Sequence, residues 1–182
     1  MHTVILVEGL SDRLALERLA GRLGYDLHRA GVRIVDVGGV TNFQSNLVLY
    51  GPHGRNLKVC GLCDQGERHI VLRALEAAGI GKGLTQQSLE GLGFFSCDGE
   101  LEDELLRAVG ASAVLRIIEE QGDLRRFRTM QRQLAYRSAP LETQVRYLMT
   151  QRKIAYAPSL IEALDLGRVP QSLSRVLDFA MH

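Results

Sequence analysis

A chain of 182 residues, 46% hydrophobic and 24% charged, is sized for one domain or one domain with an appendage, and it can bury a sizeable core. Its net charge of +1 sets no overall acidic or basic bias. No apolar run approaches the roughly 20 residues of a membrane span, and Val4–Val7, followed at once by Glu8, is too short for a secretory leader, so the cytoplasm is the expected compartment.

Strand and helix alternate over the first hundred residues. Thr3–Val7 is a β-rich run. Ser11 is placed to cap a helix reaching about Leu23, with Leu14, Leu16, Leu19, Ala20 and Leu23 as its apolar stripe and Gly24 as its stop. Val32–Val37 reads as a second strand broken by Gly38-Gly39. Thr41 or Asn42 then caps a helix to about Tyr50. Leu57–Cys63 is a third strand ending at Asp64, Val71–Ala78 a helix closed by Gly79, Gly91–Gly93 a loop, and Phe94–Cys97 a fourth strand. This alternation predicts a parallel sheet with right-handed crossovers.

From Glu100 onward the pattern is helical: Glu100–Val109, Ala111–Gln121, Asp123–Leu134, Leu141–Met149, Ser159–Leu166 and Gln171–Ala180. Gly110, Gly122, Pro140, Pro158, Gly167 and Pro170 punctuate it. The expected division is an α/β domain over 1–104 and a basic helical segment over 105–182 packed on it.

Three cysteines, an odd number, argue against a disulfide framework. Cys60 and Cys63 fall in one strand, where positions three apart point to opposite faces, and no second pair completes a zinc site. With Cys97 they read as small buried hydrophobes. His2, His28, His53, His69 and His182 are scattered, without metal spacing.

Charge is unevenly spread. Met1–Glu104 holds 10 basic and 14 acidic residues, whereas Leu105–Ile154 holds 10 basic and 4 acidic. This contrast fits either a metal site beside a polyanion-binding surface or a set of solvated helix faces. Arg125, Arg126, Arg128 and Arg132 form the densest basic run, and 125, 128 and 132 share a helix face, a track for backbone phosphates. With no Trp, five Tyr and five Phe, base stacking on single strands is not indicated.

The acids gather at strand ends. Val4–Val7 runs into Glu8, a glycine and then Asp12 in the first helical turn. The third strand ends at Asp64, followed by Glu67. The fourth precedes Asp98, Glu100, Glu102, Asp103 and Glu104. Parallel strands put these ends on one edge, where α/β sheets bind ligands. Helix phase sets Glu102 in line with Leu105, Leu106 and Val109, at the border of the buried face, and turns Asp103 towards Arg107 and solvent. Clustered carboxylates repel without a cation or proton between them, and their hard oxygens suit Mg²⁺ or Mn²⁺.

Glu8-Gly9-Leu10-Ser11-Asp12, Val37-Gly38-Gly39-Val40 with Asn42-Phe43, and Gly61-Leu62-Cys63-Asp64 together resemble a TOPRIM domain. With Leu101–Leu105 (Leu-Glu-Asp-Glu-Leu), the chain resembles the C-terminal nuclease part of OLD-family nucleases. The implied fold is a TOPRIM-like parallel four-stranded sheet flanked by helices and followed by an all-helical C-terminal segment. In full-length members an ATPase domain comes first. Here Gly81-Lys82-Gly83 lacks the rest of a phosphate-binding loop, so a separately encoded partner protein enters as an expectation.

The resemblance implies Mg²⁺- or Mn²⁺-dependent cleavage of phosphodiesters in nucleic acid, taken as DNA held through its backbone. Glu8, Asp12, Asp64 and Glu102 become the metal ligands, with Glu100 and Glu67 as further candidates, and Glu8 is alternatively a general base. Lys153, ahead of Tyr156-Ala157 and Val169-Pro170, matches the segment that supplies a catalytic lysine, and would neutralise charge on the phosphate. Gly38 and Gly39 would turn backbone N–H groups at a helix start towards a phosphate. The family's Asp-x-Asp is Asp64-Gln65-Gly66-Glu67 here, so Glu67 or a water must stand in for the second aspartate. A competing class is a non-catalytic module that binds metal, phosphate or nucleic acid within a partner complex. A third is phosphoryl transfer to a nucleotide.

Overall fold

The computed structural model describes residues 2–182. Four strands, β1 (Thr3–Val7), β2 (Val32–Asp36), β3 (Lys58–Cys63) and β4 (Phe94–Ser96), form one parallel sheet in the order β2-β1-β3-β4. Leu6 of β1 pairs with Val35 of β2 and with Gly61 of β3, and Gly61 pairs with Phe94 of β4.

All five residues of β1 are buried because both sheet faces are covered. Ile5 and Val7 enter one core with Cys60, Leu62 and Phe95. Val4 and Leu6 enter the other with Cys63 and Phe94. The two cysteines thus point to opposite faces, as the strand period requires. The second core is closed by α2 (Phe43–Tyr50), α3 (Arg68–Ala77) and the short α4 (Ser88–Gly91). The first is larger. There α1 (Leu10–Arg22) packs with α5 (Leu101–Val109), α6 (Ala111–Glu120), α7 (Leu124–Gln131), α8 (Leu141–Gln151), α9 (Lys153–Ala163) and α10 (Gln171–Met181).

The C-terminal helices therefore share the main core of the sheet. The boundary expected between 104 and 105 falls inside α5. No helix among the described residues is long and apolar enough to cross a membrane.

Several boundaries differ from the sequence expectation. Ser11 does not cap α1; it is a buried residue inside the helix. The cap is made in reverse, by the Gly9 N–H donating to Asp12 Oδ2 at 2.8 Å. The same device opens α5, where the Glu100 N–H donates to Asp103 Oδ2 at 3.1 Å. A 3₁₀ turn, Val40–Asn42, precedes α2, and a second, Gln65–Glu67, precedes α3, which starts at Arg68 and not Val71. Gly91 ends α4 instead of opening a loop. α7 stops at Gln131, short of Leu134.

The largest difference is α9, which begins at Lys153 and not Ser159. Pro158 lies within it. The carbonyl that loses its bond to the missing proline N–H belongs to Ile154, one turn from the helix start and on an exposed residue, where water can replace it.

Candidate metal centre

The site begins where β1 and β3 run out. These are neighbouring parallel strands, so Glu8 and Asp64 leave the sheet side by side. The turn Gln65–Glu67 then folds Glu67 back over the edge. Oxygens of Glu8, Asp64 and Glu67 all lie within 4.8 Å of one another. Glu8, Asp12, Asp64, Glu102, Lys153, Ser11, Gly9, Gly38 and Gly39 line one cavity of about 250 Å³.

Asp12 is held from the first turn of α1, with Oδ2 accepting the Gly9 N–H. Glu102, 4% exposed, comes from α5 and is paired 3.0 Å from Lys153 Nζ. Four carboxylates thus share the cavity with one lysine, and Glu67 adjoins two of them.

The charge imbalance is visible in proton affinities. Burial, then the charges of Asp12 and Glu8, pushes Asp64 up to about 7. Burial, opposed by the Gly9 N–H and aided by Glu102 and Glu8, pushes Asp12 up to about 6. Burial and the facing Glu8 carboxyl push Glu67 up to about 8. Carboxyl against carboxyl is a hydrogen bond only when a proton sits between them, and Glu67 Oε2 is buried with no hydrogen-bond donor among the described residues. For Lys153, burial acts downward but is outweighed by hydrogen bonds and charge from Glu102 and Glu100, so the ammonium is held above its ordinary value.

An orphaned buried carboxylate oxygen, an all-oxygen donor set and three acids with raised pKa values together fit a hard divalent cation. Such a cation replaces the protons that otherwise hold the acids together. The 3₁₀ turn Gln65–Glu67 brings Glu67, one residue beyond the Asp-x-Asp position, beside Glu8 and Asp64.

Other expected residues take other places. Glu100 lies outside the cavity lining; its Oε2 accepts from Lys153 at 3.2 Å and its Oε1 is 3.7 Å from Arg146. Asp103 lies near Arg107, as expected, but makes no ion pair with it. It binds Arg146 of α8 through both oxygens, and these bonds hold its carboxyl below the usual range. Arg107 instead meets Asp98.

Gly38 and Gly39 have φ of 71° and 112°, which favours glycine at both. The N–H of Gly39 is consumed by the Glu8 carbonyl at 2.9 Å, and a 3₁₀ turn, not an α-helix, follows. The expected pair of free N–H groups at a helix start is therefore not formed. The pair serves instead as a wall without side chains.

Arg125, Arg128 and Arg132 are all exposed. Arg125 and Arg126 line a separate cavity of about 500 Å³ beside Thr129, Gln133 and Tyr147, which Arg128 and Arg132 do not line.

Sequence reasoning did not find Arg146, Asp123 or Arg152, and it marked Tyr156 only as part of the segment that follows Lys153. Each matters through a partner on another helix, and neither periodicity nor motif signals such a pairing.

A parallel α/β/α sheet whose first and third strands end in acids, with a glycine pair between them, defines a TOPRIM-type module. Comparison with known proteins agrees. Residues 1–65 match the family model described as "Overcoming lysogenization defect protein-like, TOPRIM domain". The chain also resembles the C-terminal region of the Xanthomonas campestris pv. campestris OLD protein, with 26% identity and a TM-score of 0.77 over 98% of this chain and 93% of that one. The C-terminal region of the Burkholderia pseudomallei OLD protein matches with 23% identity and a TM-score of 0.77, over 98% and 96% of the two chains. No curated protein matches the chain. Residues 1–65 therefore match an OLD-like TOPRIM domain, and the whole chain shares the fold of an OLD C-terminal region.

Proposed function

We propose that this protein cleaves phosphodiester bonds in nucleic acid, taken as DNA, in a reaction that depends on Mg²⁺ or Mn²⁺. The observation that carries this reading is the convergence of Glu8, Asp64 and Glu67 oxygens within 4.8 Å, the first two of which line a cavity that also presents Lys153. The family of the matched domain supports it.

Glu8, Asp64 and Glu67 would hold the cation, with Asp12 and Glu102 completing the anionic wall. When bound, a divalent cation supplies Lewis-acid stabilisation of charge at a phosphate oxygen. Lys153 is the protein's own contribution to that stabilisation. Glu102 and Glu100 fix its ammonium in place before substrate arrives, so little reorganisation is needed. In the alternative assignment Glu8, which lines the cavity, takes a proton from an attacking water instead of holding the cation. Gly38 and Gly39 present no side chain there, which leaves room for a phosphate to approach. The exposed arginines of α7 would hold the strand by its backbone, giving sequence-independent and salt-sensitive binding.

Nicking of supercoiled plasmid with Mg²⁺ or Mn²⁺ tests the reading. Wild-type protein is expected to nick, and Glu8→Ala is expected to be inert. A wild-type protein inert with both ions refutes the nuclease reading and leaves a module that binds metal or phosphate without cleavage. Activity that survives Glu8→Ala refutes the site.

A further inference from the structure

Between α8 and α9 a single residue, Arg152, leaves the helical conformation, with φ −142° and ψ 40°. It immediately precedes Lys153. Its carbonyl accepts the N–H groups of Ala155 and Tyr156 at 2.9 and 3.1 Å, so the same residue starts α9. Its guanidinium forms an ion pair with Asp123, whose Oδ2 also accepts the Tyr156 hydroxyl at 2.7 Å. Tyr156 is 1% exposed and Asp123 8%. Asp123 flanks the start of α7, so the cluster joins three helices at one corner.

Stability alone does not account for this arrangement. The ion pair is half-buried, with the Arg152 side chain 37% exposed and that of Asp123 11%, so solvent screens it and it is a weak source of net stability. What the cluster supplies is direction. Each residue of a continuous helix turns the chain by about 100°. Straightening the break at Arg152 would therefore re-aim Lys153. The lysine side chain is long and flexible, so the position of its Nζ near Glu100 and Glu102 depends on where the corner places its backbone.

We propose that Asp123, Arg152 and Tyr156 form a positioning cluster that sets the α8–α9 corner and so aims Lys153 into the acidic cavity. Its relevance to catalysis rests on the function proposed above; the aiming itself does not.

The chain contains three lysines, Lys58, Lys82 and Lys153, which makes a competitive test direct. Trace acetylation of the full chain with acetic anhydride, read by mass spectrometry, reports how firmly each amine is held. Lys82 is exposed and serves as the reference. Lys58, whose Nζ donates to the Phe179 carbonyl at 2.7 Å, reports on general loosening. In wild type, Lys153 is expected to react more slowly than Lys82. Tyr156→Phe and Asp123→Asn are expected to raise the Lys153 to Lys82 ratio by between about twofold and tenfold, the range set by losing one hydrogen bond. The Lys58 ratio should stay fixed, and Asp123→Glu should restore part of the protection. An unchanged Lys153 ratio, or an equal rise at Lys58, overturns the proposal. If Asp123→Asn does not fold, Tyr156→Phe, which removes only one oxygen, carries the test. None of these readings requires cleavage activity, so a protein inert on DNA would refute the nuclease reading and leave this result standing.

Discussion

Replacing Glu67 with glutamine should change how the site responds to pH more than any other single substitution. With Glu67 at about 8 and Asp64 at about 7, both acids must lose protons before they can bind a cation. Two deprotonations within this window should make apparent affinity rise by about 10²- to 10³-fold from pH 6 to 8. In Glu67→Gln only Asp64 contributes, and the rise should shrink to about tenfold. Proton release says the same thing in another way. At pH 7 wild type should release more protons per ion bound than the variant, by about one at most.

Stability of the metal-free protein should run the opposite way. These carboxyls hold protons more tightly folded than unfolded. Between their unfolded values near 4 and their folded values the native state binds more protons, and stability falls as pH rises through that window. Glu67→Gln should flatten the fall between pH 6 and 8. Isothermal titration of Mn²⁺ in buffers of different ionisation enthalpy measures affinity and proton release together, and thermal melts of metal-free protein give the second trend. Wild-type affinity that changes less than about fivefold from pH 6 to 8, or a variant with an unaltered profile, would refute the assignment of Glu67 to the cation.

Lys153→Ala should lower kcat for plasmid nicking by about 10²- to 10³-fold, the usual cost of one preorganised charge-stabilising donor. Divalent-ion affinity measured by titration should be retained, because a positive charge leaves the site. Gly93→Ala should destabilise the fold by about 1–3 kcal/mol in urea denaturation, since φ there is +83° and the added Cβ would meet the Phe179 ring at 2.3 Å. Arg125→Ala should weaken DNA binding uniformly across sequences and reduce the slope of log affinity against log salt by about 0.9, checked by fluorescence anisotropy over a salt series. An unchanged slope would remove Arg125 from the phosphate track.

The sequence alone determined the parts that depend on near neighbours in the chain. Short apolar runs gave four strands, three of them leading into acids, glycines gave breaks between them, and β-α alternation required a parallel sheet. That requirement in turn put Glu8, Asp64 and the acids after β4 on one edge. The helical phase of Leu105, Leu106 and Val109 located Glu102 at the buried face, where it is found. Proline, read locally, misplaced the start of α9. The bond lost at Pro158 falls near a helix end, where solvent tolerates it.

Only the tertiary structure decided which carboxylates meet and what faces them. Glu67 joins Glu8 and Asp64 because a 3₁₀ turn folds it back over the edge, a conformation that no spacing rule foretold. Glu100 turns from the cavity to Lys153 and Arg146, and Asp103 to Arg146, because α8 and α9 pack beside α5. Ion pairs between distant segments leave no periodic trace in the chain, since they depend on where whole helices dock, and docking is set by apolar surface buried across the entire molecule.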